Sequence, residues 1–149
     1  MKNILLISTI TLLFFSCSKN DSDDPIPVED LASKIEGVWR QSKATFVQAD
    51  GTTVVQSEEC SLKNEVGFSK SGTYVADDYE GADINDCYYT QFNGSWRAEV
   101  DPNNSDTNIK IKIVDRDWNY AKITFEEGKL IITYKSASWT SIYEHYRVQ

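Results

Sequence analysis

The stretch Ala121-Lys122-Ile123-Thr124-Phe125-Glu126-Glu127-Gly128-Lys129-Leu130-Ile131-Ile132-Thr133-Tyr134-Lys135 decides the fold class. Ala121, Ile123 and Phe125 alternate with Lys122 and Thr124, the period-two pattern of a strand with one buried and one wet face. Glu126-Glu127-Gly128-Lys129 carries turn chemistry and leads into a second strand, Leu130–Lys135. Just upstream, Ile109, Ile111 and Ile113 alternate with Lys110 and Lys112 in the same way. Downstream, Trp139–Val148 makes a closing strand. Towards the N-terminus, Tyr89–Val100 ends at Asp101-Pro102-Asn103-Asn104, and Glu65–Phe68 turns at Ser69-Lys70-Ser71-Gly72 into Thr73–Asp77. A first strand, Val38–Gln48, ends at Ala49-Asp50-Gly51-Thr52. Eight strands are therefore expected, in a chain whose 4 Trp, 8 Tyr and 6 Phe sit among Ile, Val and Thr. This is an all-β pattern.

Before the strands, Val28–Glu36 reads as a short helix. Asp30 is a plausible N-cap, Leu31, Ile35 and Val38 fall at i, i+4 and i+7, and Gly37 stops it. Sequential antiparallel strands must hide their edges, and a meander does so by pairing its last strand with its first. Pattern alone leaves sandwich and barrel both open.

The N-terminus has a different character. Met1-Lys2-Asn3 is cationic, and Ile4–Phe15 is an apolar run of 12 residues, shorter than the ~20 that a spanning helix needs and suited to a signal-peptide core. Phe14-Phe15-Ser16-Cys17 resembles a bacterial lipobox, although Phe15 is bulkier than the residue usual there. The resemblance implies removal of residues 1–16 as a signal peptide and lipidation of Cys17, so that the membrane is a partner through an N-terminal anchor. Residues 17–29, polar, acidic and Pro-punctuated, are expected to form a flexible tether. An acidic patch behind the lipidated cysteine resembles an export signal of outer-membrane lipoproteins, which implies a cell-envelope location, periplasmic or surface-exposed.

The chain holds 15 Lys+Arg against 23 Asp+Glu, and cleavage would remove Lys2 and no acid. Nucleic-acid binding needs clustered cations to replace phosphate counterions; here the cations are scattered singly, so nucleic acid is not an expected partner. A monomer is assumed.

Gly37-Val38-Trp39 follows the short helix and opens the first strand, and Gly94-Ser95-Trp96 repeats the pattern. Together with the spacing of Cys60 and Cys87, these residues resemble lipocalin-like domains of Gram-negative bacterial lipoproteins. The resemblance implies an eight-stranded antiparallel up-and-down lipocalin-like β-barrel with a short N-terminal helix, over residues 30–149. It also implies that Gly37 and Trp39 lie at the closed end, with the late Arg147 packed over Trp39. A helix stop followed by a core aromatic would explain Gly37 and Trp39 equally well.

Cys17 being committed to lipid, Cys60 and Cys87 form an even pair in an exported protein, most simply a disulfide. Two reduced core cysteines or a redox centre are the alternatives, and neither neighbourhood supplies the C-x-x-C proximity redox chemistry favours. The acidic run Asp77–Asp86 does not match the spacing of an EF-hand loop, and no metal or other cofactor is expected. His145, the sole histidine, has no G-x-S-x-G partner, and no catalytic residue is singled out; a hydrogen-bonded structural or surface role is expected for it. Two non-enzymatic functions remain. One is a barrel binding a small apolar or amphipathic ligand, with Trp139, Tyr143 and His145 sharing a face with Ser141 if Arg147 points inward. The other is a solid-cored module whose loops meet a protein or glycan.

Overall fold

A computed structural model describes residues 28–56 and 58–148. Helix α1 (Val28–Ile35) leads into nine strands: β1 (Gly37–Gln48), β2 (Thr53–Gln56), β3 (Glu65–Phe68), β4 (Thr73–Glu80), β5 (Tyr88–Ala98), β6 (Ile109–Ile113), β7 (Trp118–Glu126), β8 (Lys129–Lys135) and β9 (Trp139–Arg147). A 3₁₀ helix, Glu59–Lys63, links β2 to β3. All pairings are antiparallel, each strand from β3 to β9 pairs with the next, and β9 pairs back onto β1. The result is an up-and-down barrel of eight strands closed by β1·β9, as expected, with β2 as an additional strand.

The extra strand corrects the strand count. β1 is 12 residues long; residues 37–40 pair with β3 and residues 44–47 with β2. β2 was not legible in the sequence because it is not half-buried: Val54 and Val55 are 49% and 52% exposed, so no inward face imposes alternation. Its hairpin rests on local chemistry, with Gly51 at φ +86° and the Asp50 carboxylate accepting from the Thr52 N–H at 2.8 Å.

Helix α1 begins at Val28, as expected, so Asp30 lies inside the helix and is not its N-cap. The proposed signal peptide, Cys17 and residues 17–27 of the tether lie outside the described residues.

Strict alternation along β1 would bring Lys43 to the same side as Trp39. A β-bulge between Gln41 and Lys43 changes the parity. Lys43 turns outward to pair with Glu144 at 3.1 Å, while Ala44 is buried. Polar Gln41 stays inside.

The core gathers at one end. Leu31 and Ile35 of α1 pack with Trp39, Phe68, Trp96, Ile109, Ile111, Ile123, Leu130 and Ile132, so the helix plugs the barrel beneath the start of β1 and the end of β9. Here Gly94 is required: a Cβ would lie 1.9 Å from the Lys112 carbonyl oxygen, so only glycine lets β5 approach β6 this closely. The opposite end carries the turn 49–52, the loop 81–87 and the connections 114–117 and 136–138.

Candidate functional site

Gly37, Trp39 and Arg147 meet at the closed end. Gly37 takes φ +127° as the chain leaves the helix for the strand, a value that suits glycine. Trp39 and Arg147 face each other across β1·β9, with the guanidinium carbon 4.3 Å from the ring centroid. The arrangement has a second role that strand alternation could not reveal. Arg147 Nη1 and Nη2 donate to the carbonyls of Glu36 and Lys34 at 2.7 and 2.8 Å. Trp39 Nε1 donates to the Ile35 carbonyl at 2.8 Å. A helix end leaves its last carbonyls without intrahelical partners and carries partial negative charge. The Trp–Arg pair therefore caps α1 as well as flooring the barrel.

Above this floor the interior is not filled. A cavity of about 250 Å³ opens where β1 parts from β3. Its apolar wall includes Val66, Tyr74, Phe92, Ile132, Tyr134 and Tyr143; its polar groups include Gln41, Asn64, Asp78 and His145. A second cavity of about 290 Å³, lined by Ile111, Tyr120 and Trp139 among others, shares Tyr74, Ile113 and Tyr134 with the first. These volumes stand near or just below the ~300–1,000 Å³ usual for small-molecule pockets.

The polar groups of the interior are distinctive. Gln41 and His145, opposite each other across β1·β9, are 4% and 3% exposed. Gln41 Nε2, His145 Nδ1 and, further along β9, Ser141 Oγ have no hydrogen-bond partner among the described residues. Such groups cost roughly 1–3 kcal/mol each when left unpaired, so their presence calls for an explanation. Burial pushes the His145 imidazole down to about 4, opposed in part by the nearby carbonyls of Tyr143 and Leu130, so the ring is neutral at physiological pH. His145 is thus an interior, structural residue and not a surface one, with Nδ1 left unpaired among the described residues. Burial also raises the phenols of Tyr74 and Tyr134, which stay neutral.

The residues expected to contact a ligand are divided. Tyr143 and His145 line the first cavity; Trp139, 45% exposed, borders the second. Gln41, Tyr74, Asp78 and Tyr134 were missed in the sequence. Parity along a strand could have placed Tyr134 inside with Ile132, but nothing in a linear pattern tells a filled interior from an open one.

Cys60 and Cys87 form a disulfide, Cα–Cα 5.6 Å, which ties the 3₁₀ helix to the loop before β5. In the acidic run, carboxylates are used internally: Asp77 accepts from Tyr89 and Gln91, Asp78 from Asn64, and Asp83 from the Asn85 backbone. No group of three or more His, Cys, Asp or Glu side chains among the described residues is arranged to hold a metal ion.

No family model matches the chain, and no curated relative does. Among solved structures, a redesigned β-barrel is similar over 76% of this chain and 92% of its own, at 14% identity and a TM-score of 0.38. That likeness is too remote to bear on function.

Proposed function

We propose that this protein is a lipid-anchored cell-envelope lipoprotein, outer-membrane in location, whose lipocalin-like barrel holds a small apolar or amphipathic ligand. The observation that carries the ligand reading is the first cavity: aromatic walls around buried donors and acceptors that the chain itself leaves unpaired. A barrel built only for stability would fill this space or pair these atoms. The anchor rests on the lipobox-like Phe14-Phe15-Ser16-Cys17, and the Cys60–Cys87 disulfide is in keeping with an oxidising compartment. The second reading, a module that meets a partner through its surface, draws on the exposed valines of β2.

Native mass spectrometry of the protein purified from its own host tests the ligand reading. A retained non-protein mass, displaced when the cavity is narrowed by Ala76→Phe, is the expected result; a bare chain mass from gently handled protein argues for the surface module. For the anchor, Cys17→Ala should abolish membrane retention or processing, since acyl chains hold by ~0.8 kcal/mol per buried CH₂. Correctly cleaved, membrane-bound Cys17→Ala protein would refute it.

A further inference from the structure

We infer that the first cavity is selective for an organic cation, an ammonium or similar head on an apolar body, with Asp78 as its counter-ion; this rests on the ligand reading above. The charge arrangement carries the argument. Three carboxylates, Glu65, Asp77 and Asp78, stand in the cavity lining, and no Lys or Arg does. Two of the three are engaged: Glu65 is paired with Arg40, and Asp77 accepts from Tyr89 and Gln91. Asp78 lies on the inward parity of β4 with Tyr74 and Ala76, and receives one neutral hydrogen bond, from Asn64 Nδ2 to Oδ1 at 2.8 Å. Its second oxygen has no partner among the described residues.

An acidic group alone does not make a site. The independent observation is at the cavity floor, where Gln41 and His145 line the same space, are more than nine-tenths buried, and keep Nε2 and Nδ1 unpaired. A neutral imidazole nitrogen can accept from an N–H and the Gln41 amide can donate to a polar substituent. The rings of Tyr74, Tyr134 and Tyr143 line the same space, and aromatic faces attract a cation. Two cations stand just outside without lining the cavity: Arg40, engaged by Glu65, and Arg116, 5.3 Å from the Phe92 ring centroid. An anionic head would meet carboxylates and π-faces with no charge to answer it.

Three probes of one shape and different charge test this: 2-phenylethylammonium, 2-phenylethanol and 3-phenylpropanoate, titrated calorimetrically into the whole protein at pH 7. The ammonium should bind about ten- to a hundredfold tighter than the alcohol, as a charge-assisted hydrogen bond implies, and the carboxylate weakest. Asp78→Asn should erase the ammonium's advantage and leave the alcohol's affinity in place. The ranking in the unaltered protein stands even if Asp78→Asn, checked by circular dichroism, folds poorly. Equal binding of ammonium and alcohol, tighter binding of the carboxylate, or a cation preference that survives in folded Asp78→Asn overturns the inference and leaves the ligand reading intact. Failure of all three probes to bind overturns both.

Discussion

The two ends of the barrel treat buried polar groups in opposite ways. At the closed end, Asn108 is 1% exposed and wholly employed: its Nδ2 donates to the Ile123 carbonyl at 2.9 Å and its Oδ1 accepts from the Ile123 N–H at 2.7 Å, so it acts as one more rung beside β7. Trp96 Nε1 donates to the Ser69 carbonyl and Trp39 Nε1 to that of Ile35. Above the floor, Gln41 and His145 each keep an unpaired atom in the lining of the first cavity, and Ser141 keeps one further along β9. The difference teaches that stability and recognition are assigned to different ends of one sheet. Packing and hydrogen bonds close one end, and the other holds polar potential in reserve.

The sharpest way to break that division is at Trp39. Trp39→Ala removes a fully buried indole that packs on Phe125 at 5.5 Å between centroids, caps α1 and carries Arg147. It should cost roughly 3–5 kcal/mol of unfolding free energy, read from the shift in denaturant midpoint. A loss below about 1 kcal/mol would mean that the closed end is not where the fold is held.

The open end has a covalent tie in place of a dense core. Cys60 and Cys87 are 27 residues apart, and the chain-entropy model assigns such a loop ~3.5 kcal/mol. Reduction, or the paired change Cys60→Ala with Cys87→Ala, should lower the melting temperature while amide exchange at β6 to β8 stays slow relative to residues 77–92. An unchanged melting temperature would show that the open end does not need its tie.

How much of this was legible in sequence follows from the same division. Alternation in β6 and in the later half of β7 marked the core end because Ile109, Ile111, Ala121, Ile123 and Phe125 are all apolar. Gly37 could be read as a helix stop, but Trp39 and Arg147 were brought together only by the lipocalin-like resemblance, because nothing in a linear pattern joins two residues 108 positions apart. The cavity could not be read. Gln41 sits inside on Trp39's own parity, and the bulge that follows it turns only Lys43 outward; Asp78 faces inward on a strand whose pattern is otherwise mixed. Polar residues at inward positions look like surface until the barrel closes around them.

His145 gives the comparison a pH axis. Unfolded, its imidazole takes up a proton near 6.5; folded, only near 4, because burial penalises the cation. The unfolded state therefore binds more protons between these values, and stability falls as pH drops from about 6.5, the loss being complete below about 4. Two and a half pH units correspond to about 3 kcal/mol. The carboxylates held low by their partners, Glu99 and Glu144, start from 4.5 and lose their contribution only below that pH. Between pH 6.5 and 4.5 the slope should thus belong to His145, and His145→Gln should flatten it in unfolding titrations. Equal slopes in the two proteins would place the acid sensitivity elsewhere.

The smallest expected effect is the most discriminating. Tyr134 faces both cavities, its ring 6.2 Å from that of Tyr143, and its hydroxyl makes no hydrogen bond among the described residues. Removing a hydroxyl usually costs about 1 kcal/mol when a partner is left behind, and close to nothing when there is none. Tyr134→Phe should therefore leave the denaturant midpoint within about 0.5 kcal/mol of the unaltered protein. The ring, and with it the attraction for a cation, is kept, so 2-phenylethylammonium should bind Tyr134→Phe nearly as well as before, whereas Tyr134→Leu should weaken it. A loss of more than about 1 kcal/mol on Tyr134→Phe would reveal a bonded hydroxyl. The open half would then be a satisfied polar core like the closed end, and the contrast on which the ligand reading stands would disappear.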